Sequence, residues 1–263
     1  MNGLSGINIE LTSRCNKNCW CCGRRKRERE NPAVLGLYGD MEFSLLKKIA
    51  EQVPPGIVVQ LHNNGEPLLY PRFGDALKLF QHCLTGIDTN GKLLMEKGCE
   101  IVDNLDTMAV SIVQDDPEAD EQYEILKRFL RLKGDFKPLV VCRLNGMVDE
   151  RRYISLGVTI ARRLLHSPDG SFNYQIHRPT VPEIGICWEM LHRMAIDRFG
   201  NVSLCVRFDP EGQGILGNAK NRTLQELWNS PLRKQWSNLH RQGRRGEVPL
   251  CSKCDYWGVP TGW

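Results

Sequence analysis

Eleven cysteines stand in this 263-residue chain, and seven of them fall into two groups. The first group lies in Cys15–Asn16–Lys17–Asn18–Cys19–Trp20–Cys21–Cys22, where Cys15, Cys19 and Cys22 are spaced C-x3-C-x2-C. Three thiolates on one short loop can cap three irons of a 4Fe–4S cubane. The fourth iron is then open, and a small molecule can chelate it. A fourth thiolate would close the cluster and suit it to electron transfer alone. Cys21 abuts Cys22, and the spacing favours Cys22 as the ligand. A zinc knuckle, or simply buried thiols, is the other reading of this loop.

The second group is Cys187, Cys205, Cys251 and Cys254. Four protein thiolates leave no open iron, so a cluster held here would carry electrons. A structural zinc site with four thiolates is the alternative. Cys83, Cys99 and Cys142 read as buried small residues.

The elements that must position these groups follow from periodicity. Ile7 to Thr12 alternates apolar and polar like a strand and feeds the first cysteine loop. Met41 to Val53 has helical spacing. Ile57 to Leu61 reads as a strand covered on both sides and runs into His62–Asn63–Asn64–Gly65–Glu66–Pro67. Helix is expected at Gly74 to Cys83, and a third strand ends in Asp88–Thr89–Asn90–Gly91. Lys92 to Gly98 reads as helical, Thr107 to Val113 and Leu139 to Leu144 as strands, Tyr153 to Leu165 as helix and Phe172 to His177 as the sixth strand. Six strand–helix repeats argue for parallel βαβ units, whose chemistry collects at the C-terminal ends of the strands. Polar strand faces turned inward would give Glu10, His62, Arg143, Asn145, Gln175 and His177 as cavity contacts.

Composition narrows the classes. The chain is 41% hydrophobic and 25% charged with a net charge of +4, ordinary for a soluble domain. It has no apolar run long enough to span a bilayer and no secretory signal. Metal ligation therefore explains the cysteines better than disulfides do, and a reducing, oxygen-poor cytoplasm is the expected compartment. Arg24, Arg25, Lys26, Arg27 and Arg29 form a basic run interrupted by Glu28 and Glu30. A solvated helix face is the favoured reading, and with no aromatic stripe interleaved, nucleic acid is not an expected partner.

The cysteine loop at the end of the first strand resembles that of the radical S-adenosylmethionine (radical SAM) superfamily. This resemblance implies an open (β/α)6 partial TIM barrel, an α/β fold, with SAM chelated to the open iron. It implies cleavage of SAM to a 5′-deoxyadenosyl radical that takes a hydrogen atom from substrate. Asn64, Gly65, Glu66 and Pro67 are similar to the superfamily's Gly-Gly-Glu segment, with Asn64 replacing the first glycine. Thr89–Asn90–Gly91 resembles its Thr-Asn-Gly turn, Ser111 the serine that meets the SAM ribose, and Arg128 the arginine that meets the SAM carboxylate. The family's aromatic residue before the third cysteine has its counterpart one place early, in Trp20.

Cys187, Gly200 and Cys205 form C-x12-G-x4-C, which resembles the opening of the SPASM and twitch modules. Gly217–Asn218, Leu224–Gln225–Glu226–Leu227–Trp228–Asn229–Ser230 and Cys251–Ser252–Lys253–Cys254 continue the likeness. A full SPASM domain uses seven cysteines for two clusters; four imply the single-cluster twitch form, a small β-hairpin and helix module. The implied division is a core over residues 1–180 and a module over 181–263. The chain looks most like the dehydrogenases of aminoglycoside biosynthesis. By that likeness Arg143 would stabilise an alkoxide, His177 or Glu10 would act as base, and the second cluster would accept an electron. A small molecule or a peptide would be the substrate, and a flavodoxin- or ferredoxin-type protein the electron donor. Peptide modification, or redox-neutral epimerisation with Cys21 as hydrogen donor, are the alternatives.

Overall fold

The computed structural model describes residues 1–163, 187–206, 209, 212–252 and 254. In the core, β1 (Gly6–Ile9) leads to α1 (Arg24–Glu30) and α2 (Phe43–Ala50), then β2 (Val58–Gln60), α3 (Phe73–Leu79) and β3 (Leu84–Thr89). Next come α4 (Gly98–Ile101), β4 (Thr107–Val113), α5 (Ala119–Lys133), β5 (Leu139–Asn145), α6 (Arg151–Ile154) and β6 (Thr159–Arg163). The six strands lie in the order β6-β5-β4-β3-β2-β1, each pair parallel, as in an open (β/α)6 partial barrel.

Alternation sets which face of each strand meets the helices. Ile7, Ile9 and Leu11 are fully buried in the apolar core with Leu46, Ile49, Phe73 and Phe80, while Asn8, Glu10 and Thr12 put polar groups on the other face. Helix α5 buries Gln122, Leu126 and Phe129, a stripe at i, i+4 and i+7.

After residue 187 the chain forms α7 (Trp188–His192), β7 (Arg193–Ile196), β8 (Asn201–Ser203) and β9 (Ile215–Asn218). The β7–β8 hairpin turns at Gly200, whose φ of +89° belongs to the left-handed region that glycine adopts freely. Strand β7 also pairs in parallel with β1, Gly6 opposite Arg193 through Ile9 opposite Ile196. One nine-stranded sheet therefore carries both parts of the chain. Helix α8 (Leu224–Trp228) starts from a Thr223/Glu226 capping box. Helix α9 (Pro231–Arg241) starts from Ser230 with Pro231 in its first turn. Met190, Leu204, Leu216, Trp236 and Val248 form a separate small core.

Two local expectations are corrected. Residues 92–97 form successive turns rather than a helix, and α4 begins only at Gly98. The expected helix from Tyr153 onward stops within one turn, at Ile154; Gly157 then takes a φ of +70°, and the β-branched Thr159 and Ile160 enter β6. The sixth parallel strand is thus Thr159–Arg163. The expectation for Phe172 to His177, Gln175 and His177 included, lies outside the described residues.

Candidate active site

The first cysteine loop is pinned on both sides. On one side Thr12 bridges Asp40, the Ser13 hydroxyl donates to the Gly39 carbonyl at 3.2 Å, and Arg14 grips the Asp40 carboxylate at 2.6 and 2.8 Å. On the other side Lys17 forms an ion pair with Asp116, both side chains at most 5% exposed. Trp20 Nε1 donates to the Gln114 carbonyl at 2.9 Å, just past β4. The loop that leaves β1 is therefore fastened across the barrel mouth to the loop that leaves β4.

Within the loop the thiols stand close enough to act on one another. Burial pushes the Cys19 thiol up to about 12, and Cys21 and Cys22 push it the same way while Lys17 opposes them. Burial raises Cys15 too, against the Lys17 backbone N–H, with Glu66, Arg24 and Cys22 acting through space. Arg24 is buried beside these thiols, its guanidinium 4.2 Å from the Tyr38 ring centroid. Gathered, half-buried, unbridged thiols beside a buried cation suit a thiolate-held cluster.

The turn after β2 packs directly on this loop. Gly65 has a φ of +90°, and a Cβ there would lie 2.4 Å from the Thr12 carbonyl oxygen. The next residue, Glu66, donates its N–H to the Arg14 carbonyl at 2.8 Å. The Glu66 carboxylate is buried and already used within the chain. It accepts from Leu68 N–H at 3.1 Å, the Thr89 hydroxyl at 2.7 Å and Asn90 N–H at 2.7 Å. Burial raises its pKa, and those bonds pull it back. Glu66 thus clamps the β2 turn to the Thr-Asn-Gly turn after β3, and Pro67 is buried in the short 3-10 turn that follows.

Asn90 completes the join. Its Nδ2 donates to Asn16 Oδ1 at 2.8 Å and lies 3.9 Å from Cys15 Sγ. Gln122, buried on α5, donates to the Asn90 carbonyl at 2.6 Å and to the Ser111 carbonyl at 3.0 Å. Gln122 was not singled out from the sequence; a polar residue in register with Leu126 and Phe129 on the buried face of a helix was its one signal. Ser111 is half-buried on β4, and Arg128 is exposed on α5, outside this group.

A polar cluster faces inward below these turns. Arg143 on β5 lies opposite Ser111 and forms an ion pair with Asp88 on β3. The Asp88 carboxylate also accepts from Gln60 Nε2 at 3.1 Å and lies 3.4 Å from His62 Nε2. Asp88 N–H donates to His62 Nδ1 at 3.3 Å, which places the proton of the neutral imidazole on Nε2. Asn145 donates to the Ile112 and Arg143 carbonyls, a backbone-bracing role.

Glu10 joins the two parts of the molecule. Its carboxylate accepts from Asn64 N–H at 3.3 Å and from Arg198 N–H, beyond β7, at 3.2 Å. Burial raises its pKa, and these backbone donors oppose the shift. Glu10 lines a cavity of about 280 Å³ whose walls run from Ser13, Arg24 and Asn64 to Phe199 and Cys205. The cavity therefore runs from Ser13 and Arg24, which flank the first cysteine loop, to Cys205 of the second group.

In that second group, burial raises the Cys251 thiol, and Cys205, Cys254 and Cys187 push it further. The other three thiols thus act through space on Cys251, and Cys187, Cys205 and Cys251 also pack on the small core. Among the described residues no three Cys, His, Asp or Glu side chains close on a point as ligands of a single ion would. Asp209 shapes the loop after Cys205 by accepting from the Ser203 hydroxyl and from Gln213 and Gly214 N–H at 2.8–2.9 Å. Two residues that the sequence did not mark are buried here, His240 and Arg245.

Comparison with known proteins agrees with this geometry. An iron–sulfur cluster-binding domain, SPASM, matches residues 187–255. The chain is 23% identical to the S-adenosyl-L-methionine-dependent 2-deoxy-scyllo-inosamine dehydrogenase of Niallia circulans, over 98% of this chain and 95% of that one. Its fold superposes on BtrN in complex with AdoMet and 2-DOIA, with a TM-score of 0.60 at 16% identity, covering 99% and 97% of the two chains. Streptococcus suis SuiB bound to its precursor peptide SuiA gives a TM-score of 0.63 at 15% identity, covering 88% of this chain and 66% of that one. Two gathered thiol sets on one partial-barrel sheet, the SPASM match and these relatives agree: residues 187–255 match an iron–sulfur cluster-binding domain, and the whole chain has the fold of BtrN.

Proposed function

We propose that this enzyme oxidises a carbinol carbon of a small polar metabolite. The observation that carries the reading is the cavity lined by Ser13 and Arg24, which flank the first cysteine loop, and by Cys205 of the second group. When bound, the cofactors supply SAM cleavage, hydrogen abstraction by the resulting radical, and an electron acceptor in the second cluster.

Cys15, Cys19 and Cys22 would hold the SAM-binding cluster, and Cys187, Cys205, Cys251 and Cys254 the auxiliary one. Asn64, Gly65, Pro67, Asn90, Ser111 and Trp20 would form the SAM cradle. Glu66 acts from behind it as a clamp, because both of its oxygens accept hydrogen bonds from the chain. Arg128, exposed on α5, would need SAM to extend outward to be used. Arg143, paired with Asp88, would stabilise a substrate alkoxide, and its guanidinium carries the charge that this requires. Glu10 lines the cavity and would act as base; His177, the other candidate, lies outside the described residues. Core and module would divide at 180/181, a division that the SPASM match over residues 187–255 supports.

The Niallia circulans relative acts, by its name, on 2-deoxy-scyllo-inosamine, which makes aminocyclitols the first class to try. SuiB, solved with a peptide, supports peptide modification as the second reading. A flavodoxin- or ferredoxin-type donor in the cytoplasm would supply the first electron. Among the described residues no helix is long and apolar enough to cross a membrane.

The test is a panel of carbon-deuterated aminocyclitols with reduced, cluster-loaded enzyme. Deuterium in 5′-deoxyadenosine, with one SAM consumed per carbonyl formed, is the expected result. Deuterium transfer with an inverted alcohol and no carbonyl would point to epimerisation instead, by way of a thiol such as Cys21.

A further inference from the structure

His240 sits in the last turn of α9 and is 1% exposed. Its ring lies against the start of the second cysteine group: the Cys187 N–H donates to Nδ1 at 3.3 Å. Because Nδ1 accepts, the proton of the neutral ring is on Nε2. That Nε2 is buried and has no hydrogen-bond partner among the described residues. A buried donor left without an acceptor is costly, and folded chains rarely carry that cost without a use for the group.

The surroundings say what the missing acceptor is. Arg245, also buried, donates from Nη2 to the Cys254 carbonyl at 2.5 Å. Its charge acts on both the His240 ring and the Cys251 thiol. The imidazole thus contacts Cys187 directly and lies within reach of the charge of Arg245, which itself holds Cys254, so both of these neighbours are tied to the second cysteine group.

We propose that His240 Nε2–H donates a hydrogen bond to a sulfur of the auxiliary cluster and, with the fixed charge of Arg245, raises its reduction potential. His240 is a positioning and tuning residue, not a ligand. The proposal rests on the reading of Cys187, Cys205, Cys251 and Cys254 as cluster ligands. A hydrogen bond to cluster sulfur favours the reduced, more negative state, so it would help this cluster take an electron from substrate.

The experiment uses the full chain with Cys15, Cys19 and Cys22 replaced by Ala, so that the second site alone holds iron. Iron content is measured first; no iron would sink the cluster reading itself. With the cluster assembled and reduced, pulsed EPR on ¹⁵N-histidine-labelled protein should show a nitrogen coupling and an exchangeable deuteron in D₂O. Both signals should vanish in His240→Leu, and a redox titration should give that variant a lower potential. His240→Gln, which keeps an N–H at the end of the side chain, should move back toward the parent value. An assembled cluster with no histidine coupling overturns the proposal. So does an unchanged potential in His240→Leu. If His240→Leu fails to hold its cluster, the coupling in the parent and the potential of His240→Gln decide.

Discussion

Gly65 shows how much one residue type decides. Its left-handed backbone and the Thr12 carbonyl 2.4 Å from where a Cβ would stand leave room for no side chain. Gly65→Ala should therefore destabilise the fold by at least about 3 kcal/mol and abolish SAM binding. Gly56, with a φ of +78° and nothing near its Cβ position, is the control: Gly56→Ala should cost only about 1–2 kcal/mol of backbone strain. Thermal unfolding of the two variants, with SAM binding by calorimetry, separates the cases. Arg143 carries a different expectation. Arg143→Gln should lower kcat by about 10²–10³-fold with little change in SAM affinity, since the guanidinium pairs with Asp88 rather than with the cysteine loop. Single-turnover rates with a productive aminocyclitol would measure it, and an unaltered kcat would remove Arg143 from the chemistry. The cysteines and the Gly-Glu-Pro and Thr-Asn-Gly turns were legible because their spacing is itself the signal. Asp88, Gln122 and His240 were not, because each acquires its role from partners 11 to 55 residues away.

Among the elements, the loops at the strand ends are held by two buried electrostatic joints. The Lys17–Asp116 pair fastens the cysteine loop to the β4–α5 loop. Lys17→Met would leave the Asp116 carboxylate buried and unpaired, at a cost of about 3–5 kcal/mol. The loop should then fail to hold its cluster while the second site keeps its own, so iron falls from about eight to about four per chain. Glu10 is the second joint. Glu10→Gln keeps one acceptor oxygen and places an NH₂ against the other backbone N–H, which should cost about 1–3 kcal/mol in thermal unfolding. Strand β4 was legible to the residue, Thr107 to Val113, because β-branched and apolar residues alternate there between clear turns. Strand β6 was not: four helical residues precede it, and a glycine that reverses the chain leaves no periodic mark in so short a span.

For the whole molecule, the decisive feature is that one sheet runs from β6 through β1 into β7, β8 and β9. The strand–helix repeats made the parallel half legible. The pairing of residues 6–9 with 193–196 was not, because local periodicity says nothing about a contact between strands so far apart in the chain. That pairing brings Cys205 and the residues that flank the first cysteine loop, Ser13 and Arg24, to one cavity, across which the proposed oxidation would pass its electron. The most direct test is the iron and sulfide content after anaerobic reconstitution. Wild type is compared with Cys15/Cys19/Cys22→Ala and with Cys187/Cys205/Cys254→Ala. Two independent 4Fe–4S sites predict about eight irons in the wild type and about four in each variant. About four irons in the wild type, with zinc accounting for the second site, would contradict the two-cluster account and leave the dehydrogenase without its electron acceptor.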